Sequence, residues 1–343
     1  MTKQIKEPSA NVIELDKKKI DEQLSRYGDY YSQGIKIKKW NALNQQGGRQ
    51  PQKGDEKYIL VLEKDYMKYS GTINDKYQRD GYGLEIYSNG DKYVGQFNSD
   101  LRDENGIYFF YPTNSYQKSY YSLVECYLGK WKNNIIDKNG MYIWMDEPVN
   151  NYEYESANFD AYVGEFEESK YKRGTYLSKI NNDYSLYHGN FDKDGKKSDN
   201  DAYYYTSKSN KIFHGKFRKD VLVSGYLCSL NKEEENVTDL AYCKFNEDGS
   251  INDIVEERQL NKYDIVDEKK KMIDFRNIIL NGDYFGRLYK KYSRIKFKID
   301  KLVDISTILE REENIKEIDK ILTKYAKKNI FYTIEETIYG REF

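Results

Sequence analysis

The chain has 343 residues, a formal net charge of −1 and a mean hydropathy of −0.94, a balance that excludes a bulk polyanion as the obvious partner. No apolar run approaches the roughly 20 residues a membrane helix needs, and Cys126, Cys228 and Cys243, odd in number and without a CxxC pair, argue against a disulfide framework or a zinc site and for a reducing compartment. Only 38% of residues are hydrophobic, yet 36 are tyrosine, which argues against wholesale disorder and for a core of Tyr and Phe on strands.

In chain order, residues 1–57 read as an N-terminal arm. Val12, Ile13, Ile20 and Leu24 give a weak amphipathic helix, and Asn41 to Lys57 reads as a linker. Residues 1–19 lack the apolar core of a secretory signal and, with Glu7, Glu14 and Asp16, fit poorly with an acid-poor transit peptide. Tyr58 to Leu62 reads as a strand opening a second region, residues 58–248.

In that region a five-residue unit, aromatic-x-Gly-x-aromatic, recurs. Tyr69 and Gly71 begin it. Then come Tyr93, Gly95 and Phe97; Tyr127, Gly129 and Trp131; Tyr162, Gly164 and Phe166; Tyr187, Gly189 and Phe191; and Phe213, Gly215 and Phe217. A decayed copy ends at Phe245, with Cys243 in the glycine slot. Between pentads a second strand starts at Gly83, Gly106, Gly140, Gly174 and Gly225, and at Asp201 in one unit. Each unit therefore reads as a β-hairpin, repeated at a period near 24 residues with two longer insertions. Alternation sends Tyr93, Gly95 and Phe97 to one face and Val94 and Gln96 to the other. The bare glycine leaves a notch for a ring from the neighbouring hairpin. Valine at Gly95 or Gly129 is then expected to cost several kcal/mol.

The pattern resembles the MORN (membrane occupation and recognition nexus) repeat, most closely from Tyr69 to Phe97 with Gly81, Gly83 and Gly90. The resemblance covers about Tyr69 to Phe245. It implies a mainly β fold, an elongated array of stacked antiparallel hairpins, and a scaffold role in cilia, cytoskeletal assemblies or membrane junctions.

Residues 249–343 lose the glycine pattern and are expected to be α-helical from about Ile251. Ile265, Met272 and Ile279, and Val266, Ile273 and Leu280, mark one helix stopping at Gly282. Ile308, Ile315, Ile318, Leu322 and Tyr325 mark another. The two pack on each other or on the end of the rod, or dock into a partner's helices. Between them Arg287, Lys290, Lys291, Arg294, Lys296 and Lys298 form a basic segment. It suits an anionic lipid headgroup, an acidic protein surface, or no partner at all as a solvated helix face.

The two insertions offer Tyr116, Tyr120, Tyr121, Tyr152 and Tyr154 as candidate partner contacts, because tyrosine suits interfaces. His188 and His214 occupy the same pentad position and read as strand histidines, with no carboxylate or cysteine placed to make them a metal pair; alanine at His188 is expected to do little. Glu165, Glu167 and Glu168 read as a solvated turn. No nucleophile, nucleotide-loop or metalloprotease motif is present. With no such motif present, the resemblance implies a non-enzymatic scaffold or adaptor without cofactor, cytoplasmic, in a cilium or the cytoskeleton. Its partners are other proteins of an assembly, with nucleic acid unlikely. The alternatives are a peripheral adaptor on anionic phospholipid or an accessory subunit of an organellar complex.

Overall fold

The structure is a computed structural model and describes residues 36–41, 56–64, 67–74, 76, 78–110, 125–145, 158–181, 183–229, 238–259, 261–281 and 330–341. The candidate contacts Tyr116, Tyr120, Tyr121, Tyr152 and Tyr154 lie outside them. So do the basic residues Arg287 to Lys298, the expected helices over Val12–Leu24 and Ile308–Tyr325, and most of the expected linker.

Sixteen strands occur among the described residues. They are β1 (Lys36–Asn41), β2 (Glu56–Lys64), β3 (Met67–Ile73), β4 (Arg79–Tyr87), β5 (Lys92–Asn98), β6 (Leu101–Phe110), β7 (Glu125–Lys132) and β8 (Ile135–Met145). Then follow β9 (Phe159–Glu167), β10 (Lys170–Ile180), β11 (Asp183–Asn190), β12 (Asp199–Thr206), β13 (Lys211–Arg218), β14 (Val221–Ser229), β15 (Thr238–Phe245) and β16 (Ile251–Glu256). They form one sheet in sequence order, each strand antiparallel to the next, so the chain is a mainly β array of consecutive hairpins. The sheet extends past both expected limits. β1 lies in the segment read as an arm, and β16 begins where helix was expected.

The register is set by the glycines. Gly71, Gly83, Gly95, Gly106, Gly129, Gly140, Gly164, Gly174 and Gly189 pair in succession across nine strands. Ala202, Gly215, Gly225 and Cys243 extend the same column. Ala202, rather than Asp201, therefore takes the glycine place in β12.

The notch is filled differently from the sequence expectation. A Cβ on Gly95 would meet the Tyr93 hydroxyl and the backbone of Asn105 and Gly106, and a Cβ on Gly106 would meet the Tyr93 ring. Each pentad tyrosine thus lies along its own strand over its own glycine and the paired glycine of the next strand, and no ring from another hairpin enters. Side chains lean along the strand they stand on, so the ring two residues away is the one that reaches. The hydroxyl then donates to a backbone carbonyl three residues on: Tyr93 to Gln96 at 2.9 Å, Tyr127 to Lys130 at 2.8 Å, Tyr162 to Glu165 at 2.7 Å and Tyr187 to Asn190 at 2.7 Å.

Four hairpins close on pairs of residues with positive φ, Ser99–Asp100, Asn133–Asn134, Glu168–Ser169 and Lys219–Asp220, the two-residue turn whose twist matches the strands. The second turn residue reaches back to the preceding unit. The Arg79 N–H donates to Asp100 Oδ1 at 2.7 Å and the Asp100 N–H to the Arg79 carbonyl at 2.9 Å; Asn134 repeats both bonds with Arg102. After each of these turns the register slips; the β3–β4 hairpin, closed by a longer turn, slips in the same way, with Gly81 at φ +77°. Glu104 and Lys138 adopt a left-handed conformation at the equivalent places, φ +57° and +55°, at a cost of about 1 kcal/mol each.

Two helices are described, α1 (Lys262–Asn281) and α2 (Ile330–Tyr339). The Asn261 side chain accepts the Tyr263 N–H at 3.0 Å, capping α1, which ends one residue before Gly282. Its buried stripe is Ile265, Met272, Phe275 and Ile278; Val266 is 70% exposed, so the second expected row is not the packed one. α2 lies within the region expected to be helical, although no row of residues had marked it as a separate helix. The helices touch one another and lie on the face of the sheet over β9, β10 and β13 rather than on its end.

Candidate interaction surfaces

The two faces of the sheet carry different chemistry. On the first, the pentad rings form a continuous ladder. Phe97 stands edge-on to Tyr69 and Tyr93, with centroids 5.3 and 5.2 Å apart. Trp131 bridges Tyr93 and Tyr127 at 5.4 and 5.3 Å, Phe166 bridges Tyr127 and Tyr162 at 5.4 and 4.9 Å, and Phe191 bridges Tyr162 and Tyr187 at 5.5 and 5.2 Å. Phe217 continues to Tyr187 and Phe213. Such edge-to-face pairs contribute about 0.5–1.5 kcal/mol each beyond area burial. All the sequence-predicted repeat residues are therefore brought together on this face.

Opposite each closing aromatic, across the turn, stands a residue that lies over the rings: Arg102 opposite Phe97, Ile136 opposite Trp131, Tyr171 opposite Phe166, Lys197 opposite Phe191. The Arg102 guanidinium is 4.8 Å from the centroids of Tyr93 and Tyr108, 5.3 Å from Trp131 and 5.6 Å from Tyr87. The Lys197 ammonium lies 5.6–5.8 Å from Tyr176, Tyr187 and Tyr204, and burial pushes its pKa down. Arg79 covers Tyr69 and Phe97. Glu85, 2% exposed, takes the place in β4 that Tyr93 and Tyr108 hold on the next strands, and it pairs with both Arg79 and Arg102. A carboxylate at an inward phase of a strand needs a buried cation. That signal was present in the sequence and would have found both arginines.

The second face is aliphatic in its first half: Leu84, Val94, Ile107, Leu128, Met141 and Val163 form one row, all buried. The row then turns polar with Thr175, His188, Tyr203 and His214, and here the helices dock. His188 is fully buried. Its Nδ1 meets Thr175 Oγ1 at 2.8 Å and its Nε2 meets Glu335 Oε1 at 2.8 Å. Arg173 Nε donates to the same Glu335 oxygen at 2.6 Å, Arg341 Nη1 to the other at 3.0 Å, and Arg173 Nη1 reaches Asp199 at 3.2 Å. His214 lies between Glu268 of α1, 2.7 Å from Nδ1, and Asp201, 2.7 Å from Nε2, stacked on Tyr203 at 4.0 Å. Tyr339 donates to the Asp201 carbonyl at 2.7 Å. Both are hydrogen-bonded strand histidines, as expected, but each meets a helix carboxylate that the sequence reading had not placed beside it. Glu335 and Glu268 come from 147 and 54 residues away, beyond any local pattern. Among the described residues, no group of three or more ligands is arranged to hold a metal ion.

Partners fix opposite charge states on the two rings. His188 has an acceptor on one side and a hydroxyl on the other, which suits a neutral ring donating from Nε2, and complete burial lowers its pKa. His214 has a carboxylate at each nitrogen, so both must donate. Burial opposes that charge, but the bonds to Asp201 and Glu268 outweigh it and raise the pKa to about 9. A folded value above the unfolded ~6.5 means a stabilisation fully present below pH ~6.5 and lost as pH rises through about 9. Thermal melts should therefore show stability falling between pH 6.5 and 9 by on the order of 2–3 kcal/mol, and His214→Gln should abolish that slope. A slope unchanged in the variant would place the titrating group elsewhere.

Comparison of the sequence with protein-family models and with curated proteins found no match.

Proposed function

We propose that the chain is a MORN-type repeat protein acting as a non-enzymatic scaffold or adaptor in a large cytoplasmic assembly, ciliary or cytoskeletal, with other proteins as partners. The observation that carries this reading is the unbroken glycine column from Gly71 to Gly189, continued through Ala202 to Gly225. It makes the molecule a ladder in which each unit binds its neighbours, a construction suited to presenting a long surface. No described helix is long and apolar enough to cross a membrane.

Affinity capture of the tagged full chain, with mass spectrometry, tests the reading. A reproducible, stoichiometric set of co-purifying proteins is the expected result. A chain recovered alone, which instead pellets with phosphatidylserine vesicles at physiological salt, would replace the scaffold with the membrane adaptor.

A further inference from the structure

On the aromatic face, one strip lies beyond the covered rings. Phe110, Glu125, Trp144, Asp160 and Ser178 pair in succession across β6 to β10, so a carboxylate flanks Trp144 on each neighbouring strand. Behind Trp144 stand Tyr142, at 5.4 Å, and Tyr176, at 5.8 Å, and Phe110 lies 5.7 Å from Tyr142. All of these rings are half-buried, as are both carboxylates. Tyr142 donates its hydroxyl to Glu125, which orients that carboxylate.

The same face already shows what such a setting holds. At Arg102 a guanidinium lies among four rings and pairs with Glu85; at Lys197 an ammonium lies among three. In the units between them the covering residue is Ile136 or Tyr171, neither of which is charged. Among the described residues no cation lies over Trp144 or Tyr142, and neither Glu125 nor Asp160 has an ion pair. Lys197 acts on Asp160 only through its field. Two negative charges beside an indole face, the best ring for a cation, are the complement of a positive side chain.

We propose that Trp144, with Glu125 and Asp160, is a docking site for an arginine-bearing basic segment of a partner protein. The guanidinium lies flat on the indole as Arg102 lies among its rings, and its planar fork bonds the carboxylates. This rests on the scaffold reading and names the chemistry of one partner.

The test uses the full chain and a fluorescein-labelled octapeptide of alternating arginine and glycine, with a glutamate–glycine peptide as control. The arginine peptide should bind and quench tryptophan emission. Glu125→Gln with Asp160→Asn should weaken it at least about tenfold with the melting temperature unchanged, as should Trp144→Leu assayed well below its own melting temperature. Trp144→Tyr should retain most of the affinity. Equal binding by wild type and the double variant, or no binding by wild type, overturns the site. Capture from cells separates this from the parent reading. If the double variant keeps every partner that wild type holds, the site falls and the scaffold stands. If wild type holds none, the scaffold falls, and the peptide titration still decides the site.

Discussion

Valine at Gly95 should destabilise the array by about 3–5 kcal/mol, among the largest effects of any single substitution in the repeats. The added Cβ would sit 2.5 Å from the Tyr93 hydroxyl, 2.6 Å from the Asn105 carbonyl oxygen and 2.6 Å from the Gly106 Cα. The ring could swing away, but the two backbone contacts belong to the adjacent strand and cannot yield without parting the ladder. Moving the ring also forfeits its bond to Gln96 and its edge contacts with Phe97 and Trp131. Ala202 carries a methyl in this column, paired with Gly215, and a Cβ on Gly189 would meet that methyl at 2.9 Å. Gly249→Ala is the control. Nothing lies within 4 Å of its Cβ position, and only its φ of +81° resists the change, at about 1 kcal/mol. Denaturant titration followed by tryptophan emission measures both. Equal losses would mean that the close approach at Gly95 costs no more than a strained φ.

Glu335→Ala should release α2 while leaving the sheet folded. Glu335 is fully buried and accepts from His188, Arg173 and Arg341 together; burial resists its charge, but His188 and Arg173 hold its pKa below the usual carboxylate value. Removing one partner of a buried pair costs about 3–5 kcal/mol, because the other is left charged and unmatched. Arg173 would keep Asp199 alone, and its Nη2 has no hydrogen-bond partner even now. His188→Ala should act in the same direction, against the sequence expectation of a small effect, since it opens a cavity and strands Thr175. Arg341→Ala, at a side chain 51% exposed, should do little. Limited proteolysis and hydrogen exchange of residues 331–338 read the release directly, with far-UV circular dichroism reporting the sheet. A helix equally protected in Glu335→Ala would show that Phe331 and Ile334 dock it unaided.

The repeat was legible because each strand's alternation and each pentad's glycine are local signals that agree. Tyr69, Tyr93, Tyr127, Tyr162 and Tyr187 are all buried on one face, as the alternation requires. Which ring fills each notch was not legible, since spacing gives the face of a side chain but not its lean. Histidine in two pentads was visible, but its meaning was not, because Glu335 and Glu268 reach it only after the helices dock. β16 was lost to helix because Ile251 and Ile254, 41% and 52% exposed, fit neither the glycine pattern nor an inward alternation. Arg79, Glu85 and Arg102 were not singled out, although the phase of Glu85 in β4 places its carboxylate inward.

The order of strands along the sheet is the order along the chain, without a crossover. Every rung can therefore settle as soon as its predecessor exists, so assembly can proceed during synthesis and loop-closure cost stays small despite the all-antiparallel sheet. The contacts of α2 with the sheet, such as Arg173 with Glu335, 162 residues apart, and His188 with Glu335, 147 apart, form the exception. They close last, and a ribosome-bound chain halted before residue 330 should already carry its ladder with that seam still open.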